Sequence, residues 1–183
     1  MYGYNLLVSF GWRRFHDARA EIRNILVRLG DKNAIIKRTI AGGIAGVDTI
    51  LDPRYIIKEL YTIYNQDPSS LVHTLKWVPI DYWTTSNLES MAKGIVTLRN
   101  KIAKGEKWMM VVEKRRYTAY HKIDIIKHLA DCIDEKVDLK NPDKIVRVDI
   151  IGNNAGISVI KPDEIFSVAK ASYEPLITSS WKD

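Results

Sequence analysis

Residues 114–122, K-R-R-Y-T-A-Y-H-K, hold the densest set of chemically able side chains in this chain. Lys114, Arg115 and Arg116 are consecutive cations, and Tyr117, Tyr120, His121 and Lys122 follow. Guanidinium groups bind phosphate oxygens through paired hydrogen bonds, and ammonium groups bind them as point charges. Tyrosine rings stack on unpaired bases, such as a free 3′ end of RNA. The stretch before them opens at Trp108, and its apolar run, Met109 to Val112, reads as a buried strand that delivers these groups at its end. A phosphate and base contact is one reading of this pattern, and a solvated strand end is the other. For each tyrosine, packing in the core is the alternative to stacking.

The surrounding charge favours the first reading. The chain of 183 residues carries a net charge of +6. Between Lys93 and Arg116 stand eight Lys and Arg against two Glu, so this stretch alone holds the whole excess. Such clustering points to an acidic partner, nucleic acid first. Ser86-Asn87-Leu88-Glu89 reads as a capping box that opens a helix. Leu88, Met91, Ala92, Ile95, Leu98 and Ile102 form its apolar stripe, and Lys93, Thr97, Asn100, Lys101 and Lys104 fall opposite. Gly105 ends the helix. Lys93, Lys101 and Lys104 are therefore expected to extend the phosphate track of Lys114, Arg115 and Arg116 on one shared positive surface.

Catalytic constellations are missing from the sequence. His16, His73, His121 and His128 are scattered, and no carboxylate or second His stands at a useful spacing from any of them. A general base at His121, close to Arg115 and Lys122, is the enzyme alternative. The single Cys132 reads as a small core residue. The loop A-G-G-I-A-G at 41–46 has neither G-K-[ST] nor GxGxxG, so it reads as a hairpin connection rather than a phosphate cradle. No H-x-E with P-C-x-x-C is present. We expect no catalytic residue, no metal and no cofactor.

The elements that position these groups follow from periodicity. Residues 4–10 read as a strand, and Arg13 to Leu29 as an amphipathic helix closed by Gly30. Its polar face carries Arg19, Arg23 and Arg28, with Asp17 and Glu21 as expected partners. Residues 34–40 and 47–51 read as strands. Asp52-Pro53 opens a second helix, and Gln66 to Ser70 ends it. Residues 71–78 read as a strand stopped by Pro79. This β-α-β-β-α-β order is the ferredoxin-like one. Residues 80–87 read as a linker. After the basic helix and the Trp108 strand come a helix over 123–133, a turn over 137–143 and a strand over 145–151. In that strand Val146, Val148 and Ile150 alternate with Arg147 and Asp149. A turn at 152–154 leads to a returning strand over 155–160. The fold class is α+β. The expected domains are 1–80, 81–170 and a tail, 171–183, containing Tyr173, Pro175 and Trp181. No apolar run reaches membrane-spanning length and the first residues do not form a signal peptide, so a cytoplasmic location is expected.

The second half resembles the THUMP domain, a tRNA-binding module. The resemblance rests on the basic helix, the strand W-M-M-V-V-E-K-R-R, the segment V-D-L-K-N-P-D with I-V-R-V-D-I-I after it, and the returning strand A-G-I-S-V-I. The first half resembles the ferredoxin-like domain that commonly precedes it. THUMP domains are usually joined to a methyltransferase, a thiouridine synthetase or a deaminase, and their motifs are not found in these residues. E-K-R-R-Y-T-A-Y-H-K-I-D-I-I resembles instead the stand-alone THUMP proteins that serve as adaptors for tRNA cytidine acetylation. That resemblance implies binding of tRNA, at its acceptor end and backbone, and its presentation to a separate acetyltransferase that forms N4-acetylcytidine. A targeting subunit for another tRNA modification, methylation or thiolation, is the alternative.

Overall fold

The computed structural model describes residues 1–172. In chain order the elements are β1 (Leu6–Phe10), α1 (Phe15–Leu29), β2 (Ile35–Arg38), β3 (Ile44–Asp48), α2 (Pro53–Gln66) and β4 (Thr74–Pro79). They continue as β5 (Tyr82–Thr85), α3 (Leu88–Leu98), β6 (Trp108–Arg115), α4 (Lys122–Ala130), β7 (Lys144–Ile151), β8 (Asn154–Ile160) and β9 (Phe166–Ser167). Two compact units result. One holds Tyr4–Pro79 and the segment from Asp163, and the other holds Met1–Gly3 and Ile80–Pro162.

The first unit is an antiparallel sheet in the order β2-β3-β1-β4-β9. Apolar positions of α1 and α2 recur at helical spacing and pack on Leu6, Val8, Val47 and Trp77 of the sheet. Asp52 caps α2 by accepting the Arg54 N–H, with Pro53 at the first helical position. Gly30 closes α1 in the left-handed region, at φ 112, where its N–H reaches the Leu26 and Val27 carbonyls. The glycines of 41–46 have packing and turn roles. Gly43 turns the β2–β3 hairpin at φ 78, and a Cβ at Gly46 would strike the Tyr4 ring at 2.1 Å.

Two sequence expectations change here. Glu21 was expected at the surface beside the arginines of α1, but it is buried. Its carboxylate accepts the N–H groups of Val72, His73 and Thr74, each at 2.8 Å, and the Thr74 hydroxyl at 2.6 Å. Val72 and His73 lead into β4 and Thr74 opens it, so the carboxylate satisfies the donors at the strand's entrance. Residues 163–172 were expected to divide between the second domain and a tail. They pack in the first unit instead. Phe166 is fully buried, edge-on to Tyr61 and Tyr64 with ring centroids 5.0 and 5.8 Å away. The Tyr61 hydroxyl donates to the Ile165 carbonyl at 2.7 Å. The two tyrosines of α2 leave a slot beside β4 that an aromatic ring fills. The remainder of the expected tail, including Tyr173, Pro175 and Trp181, lies outside the described residues.

The second unit is a sheet in the order β5-β8-β7-β6. Only β6 and β7 are parallel, and α4 makes the crossover between them. Helices α3 and α4 cover one face through Met91, Ile95, Ile125 and Leu129, against Val112, Val146, Val148 and Ile157. The expected linker, 80–87, is largely strand β5, paired with β8 from Tyr82↔Ile157 to Thr85↔Asn154. Tyr, Trp and Thr suit a pleated edge, but four residues give too little alternation to detect. The cap of α3 also shifts. Asn87 rather than Ser86 accepts the Ser90 N–H, and the Ser86 hydroxyl donates to the Gly152 carbonyl at 2.9 Å.

Glu21→Ala leaves three backbone donors without an acceptor. Urea unfolding is expected to show a loss of about 3 kcal/mol, since each orphaned buried donor costs about 1–3 kcal/mol.

Candidate nucleic-acid interface

Strand β6 sets the geometry of the expected site. Trp108, Met110 and Val112 point toward the helices and belong to the core there. By alternation Lys114 shares their face, and Arg115 points to the other. The three consecutive cations therefore do not form one cluster. The Lys114 ammonium donates to the Tyr120 carbonyl at 2.7 Å, which ties the 116–121 loop to the strand. Arg115 lies 3.8 Å from the Asp149 carboxylate, which is also held by Arg147 through bonds of 2.7 and 2.9 Å. Arg147 and Asp149 are both buried, so their attraction offsets the loss of water around each charge. Arg116 leaves the strand at φ 54, exposed.

Tyr117 is half-buried against the helix-side core, and its hydroxyl donates to the Ser86 carbonyl at 2.7 Å. Burial, then the neighbouring Tyr120, pushes its phenol above the ordinary range. It acts as a tether rather than an open stacking ring. Tyr120 is 41% exposed. Lys122, exposed, stands 3.9 Å from Glu113. It begins α4, whose N-terminus has no side-chain cap at His121. Free N–H groups at a helix start favour anions.

The lysines of α3 and beyond go elsewhere. Lys93 pairs with Glu89 at 2.6 Å in solvent. Lys101 bonds Asp81 at 3.0 Å, next to the start of β5, and the other oxygen of Asp81 accepts the Val159 N–H. Val159 pairs with Val146, which lies beside Met110 in the first half of β6. Lys101 is thus at the opposite end of the sheet from Ser86 and Arg115. Five residue steps of β6, from Met110 to Arg115, separate the two levels, about 17 Å at 3.3 Å per residue. The single positive surface expected from the sequence is replaced by two groups. Among the described residues, Lys104 and Arg116 have no carboxylate partner.

The segment V-D-L-K-N-P-D is structural at its start. Asp138 accepts the N–H groups of Lys140 and Asn141, each at 3.0 Å, and the Lys107 ammonium at 3.2 Å. The Lys107 N–H donates to Asp143 at 2.7 Å, and the Trp108 indole donates to the Glu135 carbonyl at 2.7 Å. The segment so wraps the entrance of β6. This role was not read from the sequence, although Asp before a Lys-Asn-Pro turn is a signal for it. Cys132, past the end of α4, packs against the same core, and burial pushes its thiol up. Among the described residues no group of three His, Cys, Asp or Glu is placed to hold a metal.

Comparison with known proteins now adds to this geometry. The family model of the THUMP domain matches residues 85–160. The chain contains a THUMP domain. The match runs from the end of β5 through β8, so Lys114, Arg116, Tyr120 and the start of α4 all lie inside the THUMP domain. No curated protein matches the sequence. Among solved structures, PH1313 from Pyrococcus horikoshii Ot3 is similar at TM-score 0.63 and 17% identity, over 85% of this chain and 54% of its own. TrmN from Thermus thermophilus is similar at 0.57 and 12%, over 86% and 46%. A 4-thiouridine synthetase, solved as an RNA complex with bound ATP, is similar at 0.55 and 15%, over 90% and 42%. The likeness shows a shared fold. The chain spans about half the length of these structures or less. No described helix is long and apolar enough to cross a membrane.

The Asp138 carboxyl is lowered from 3.8 to about 2, chiefly by the Asn141 and Lys140 N–H groups and then by Lys107. Its folded value lies below its unfolded one, so its contribution is complete above about pH 4. That contribution is lost as the pH falls toward about 2. Asp138→Asn is expected to lower Tm at neutral pH, with the gap to wild type closing through that acid window in a pH series of melting curves.

Proposed function

We propose that the protein is a non-catalytic tRNA-binding adaptor that presents tRNA to a separate acetyltransferase for N4-acetylcytidine formation. The observation that carries the binding part is the C-terminal end of β6 within the THUMP match. Arg116 is there without a carboxylate partner among the described residues, beside Lys114, Tyr120, Lys122 and the uncapped start of α4. Arg116 binds a backbone phosphate, the α4 N–H groups a second, and Tyr120 stacks on an unpaired base. Lys122 exchanges its long contact with Glu113 for phosphate, since an exposed pair at 3.9 Å contributes little. Lys93 does the same with Glu89, and Lys104 offers a separate phosphate contact outside the β6 end. Lys101 and Arg115 are retained as weaker contributors because carboxylates already hold them. Tyr117 serves by fixing the loop.

The adaptor part is supported by the likeness of residues 113–126 to the stand-alone THUMP proteins. The protein acts in the cytoplasm, without a cofactor. The first unit is read as ferredoxin-like, supported by its β-α-β-β-α-β order and by the strand sequence β2-β3-β1-β4. A second reading, a targeting subunit for thiolation, is favoured by the likeness to the 4-thiouridine synthetase.

Two measurements test the proposal. Lys114→Gln/Arg116→Glu is expected to weaken binding of a tRNA transcript about tenfold or more at about 100 mM salt. Unchanged affinity in the folded variant removes this end of β6 from the interface. In the second, the purified protein alone leaves cytidine in tRNA unmodified, and adding the acetyltransferase with its acetyl donor produces N4-acetylcytidine. Modification by the purified protein alone makes it an enzyme.

A further inference from the structure

A second cationic surface lies wholly within the first unit. Helix α1 and strand β2 enclose an open groove of about 580 Å³. Arg19, Arg23, Lys32, Lys37 and Arg38 line it, and no carboxylate does. The carboxylates that neighbour them in sequence are turned away. Asp17 pairs with Arg14. Glu21 is spent on the backbone of residues 72–74. Asp31 is 1% exposed and faces inward, where it accepts the Thr49 hydroxyl and the Ile50 and Asn33 N–H groups.

The groove is also held in shape. Arg23 donates to the Lys32 and Ala34 carbonyls at 3.3 and 3.1 Å, which anchors the 32–34 loop to α1 without neutralising the guanidinium. The Arg38 guanidinium rests over the Phe15 ring, 4.5 Å from its centroid. Strand β2 is the edge of its sheet, so no further strand covers the groove on that side. At the Phe15–Arg38 end the chain presents an aromatic platform. Trp12 is 72% exposed, and its ring lies so close over Gly42 that a Cβ there would sit 2.5 Å from it. The glycine-rich hairpin thus gives an exposed ring a seat.

A row of cations without counter-charges among the described residues, ended by an exposed aromatic ring, is the pattern that holds single-stranded nucleic acid. We propose that the α1–β2 groove binds a single-stranded stretch of RNA. Its phosphates run along Arg19, Arg23, Lys32 and Arg38, and one base stacks on Trp12. The partner class rests on the RNA-binding reading above, whereas the location rests on these residues alone.

The test uses the full chain, a fluorescent oligouridylate and a tRNA transcript, with anisotropy read across a salt series. Arg19→Gln/Lys32→Gln/Arg38→Gln removes three contacts. Its affinity for the oligouridylate is expected to fall about tenfold or more at about 100 mM salt, with a salt slope shallower by about 2. Arg19→Gln/Lys32→Gln keeps the Arg38–Phe15 contact and is expected to show the same effects to a smaller degree, should the triple variant melt early. Trp12→Ala is expected to weaken binding while leaving the salt slope unchanged, because the ring carries no charge. A folded groove variant that binds both RNAs like wild type, while Lys114→Gln/Arg116→Glu binds poorly, overturns the inference and leaves the β6 site standing. Loss in the groove variants alone supports the inference and removes the β6 site. Loss of binding to phosphatidylserine vesicles but not to RNA makes the groove a membrane contact and overturns the inference.

Discussion

Parallel pairing of β6 with β7 is the constraint on which the second unit depends. Strands that run the same way need a crossover, and α4 supplies it. The 116–121 loop and the first turn of α4 are then held at the C-terminal ends of both strands. Ligands of parallel strands gather at such ends, where the chain leaves the sheet and backbone donors face outward. The same pairing makes β7 an interior strand with both faces filled. One face is apolar. The other carries Arg147 and Asp149 side by side, and burial there depends on each meeting the other's charge.

Net charge proves a poor map of available charge. The excess in residues 93–116 is consumed unevenly. Lys93 and Glu89 are both open to solvent, a pair of little worth that a phosphate can displace. Lys101 is held by Asp81, whose side chain is only 7% exposed and also serves the β8 backbone. Arg115 is claimed by a buried carboxylate. In the first unit the opposite holds. Glu21 and Asp31 are engaged inward there, so the α1–β2 groove presents cations alone. What an anion meets is set by where carboxylates are spent, not by how many the chain has.

Much of this fold is legible in local pattern. The stripes of α1, α2 and α3, the Asp52-Pro53 cap and the alternation of Val146, Val148 and Ile150 all announce themselves within a few residues. What escapes is either too short or too distant. Strands β5 and β9 have four and two residues, less than a period can establish. The bonds of Glu21 to residues 72–74 and of Lys101 to Asp81 join positions far apart, and composition carries no trace of them. The divergence of Lys114 and Arg115 was within reach, since consecutive strand residues face opposite ways.

The threading of β9 bears on how the protein is made. A nascent chain emerges from the ribosome in order, and its first unit lacks Phe166 until the entire THUMP domain has been translated. During that interval β4 has an unguarded edge, and the slot between Tyr61 and Tyr64 is empty of its ring. The early-made half must wait, half finished, for a piece that follows the THUMP domain. That wait is a window for chaperones, and for mispairing between neighbouring chains.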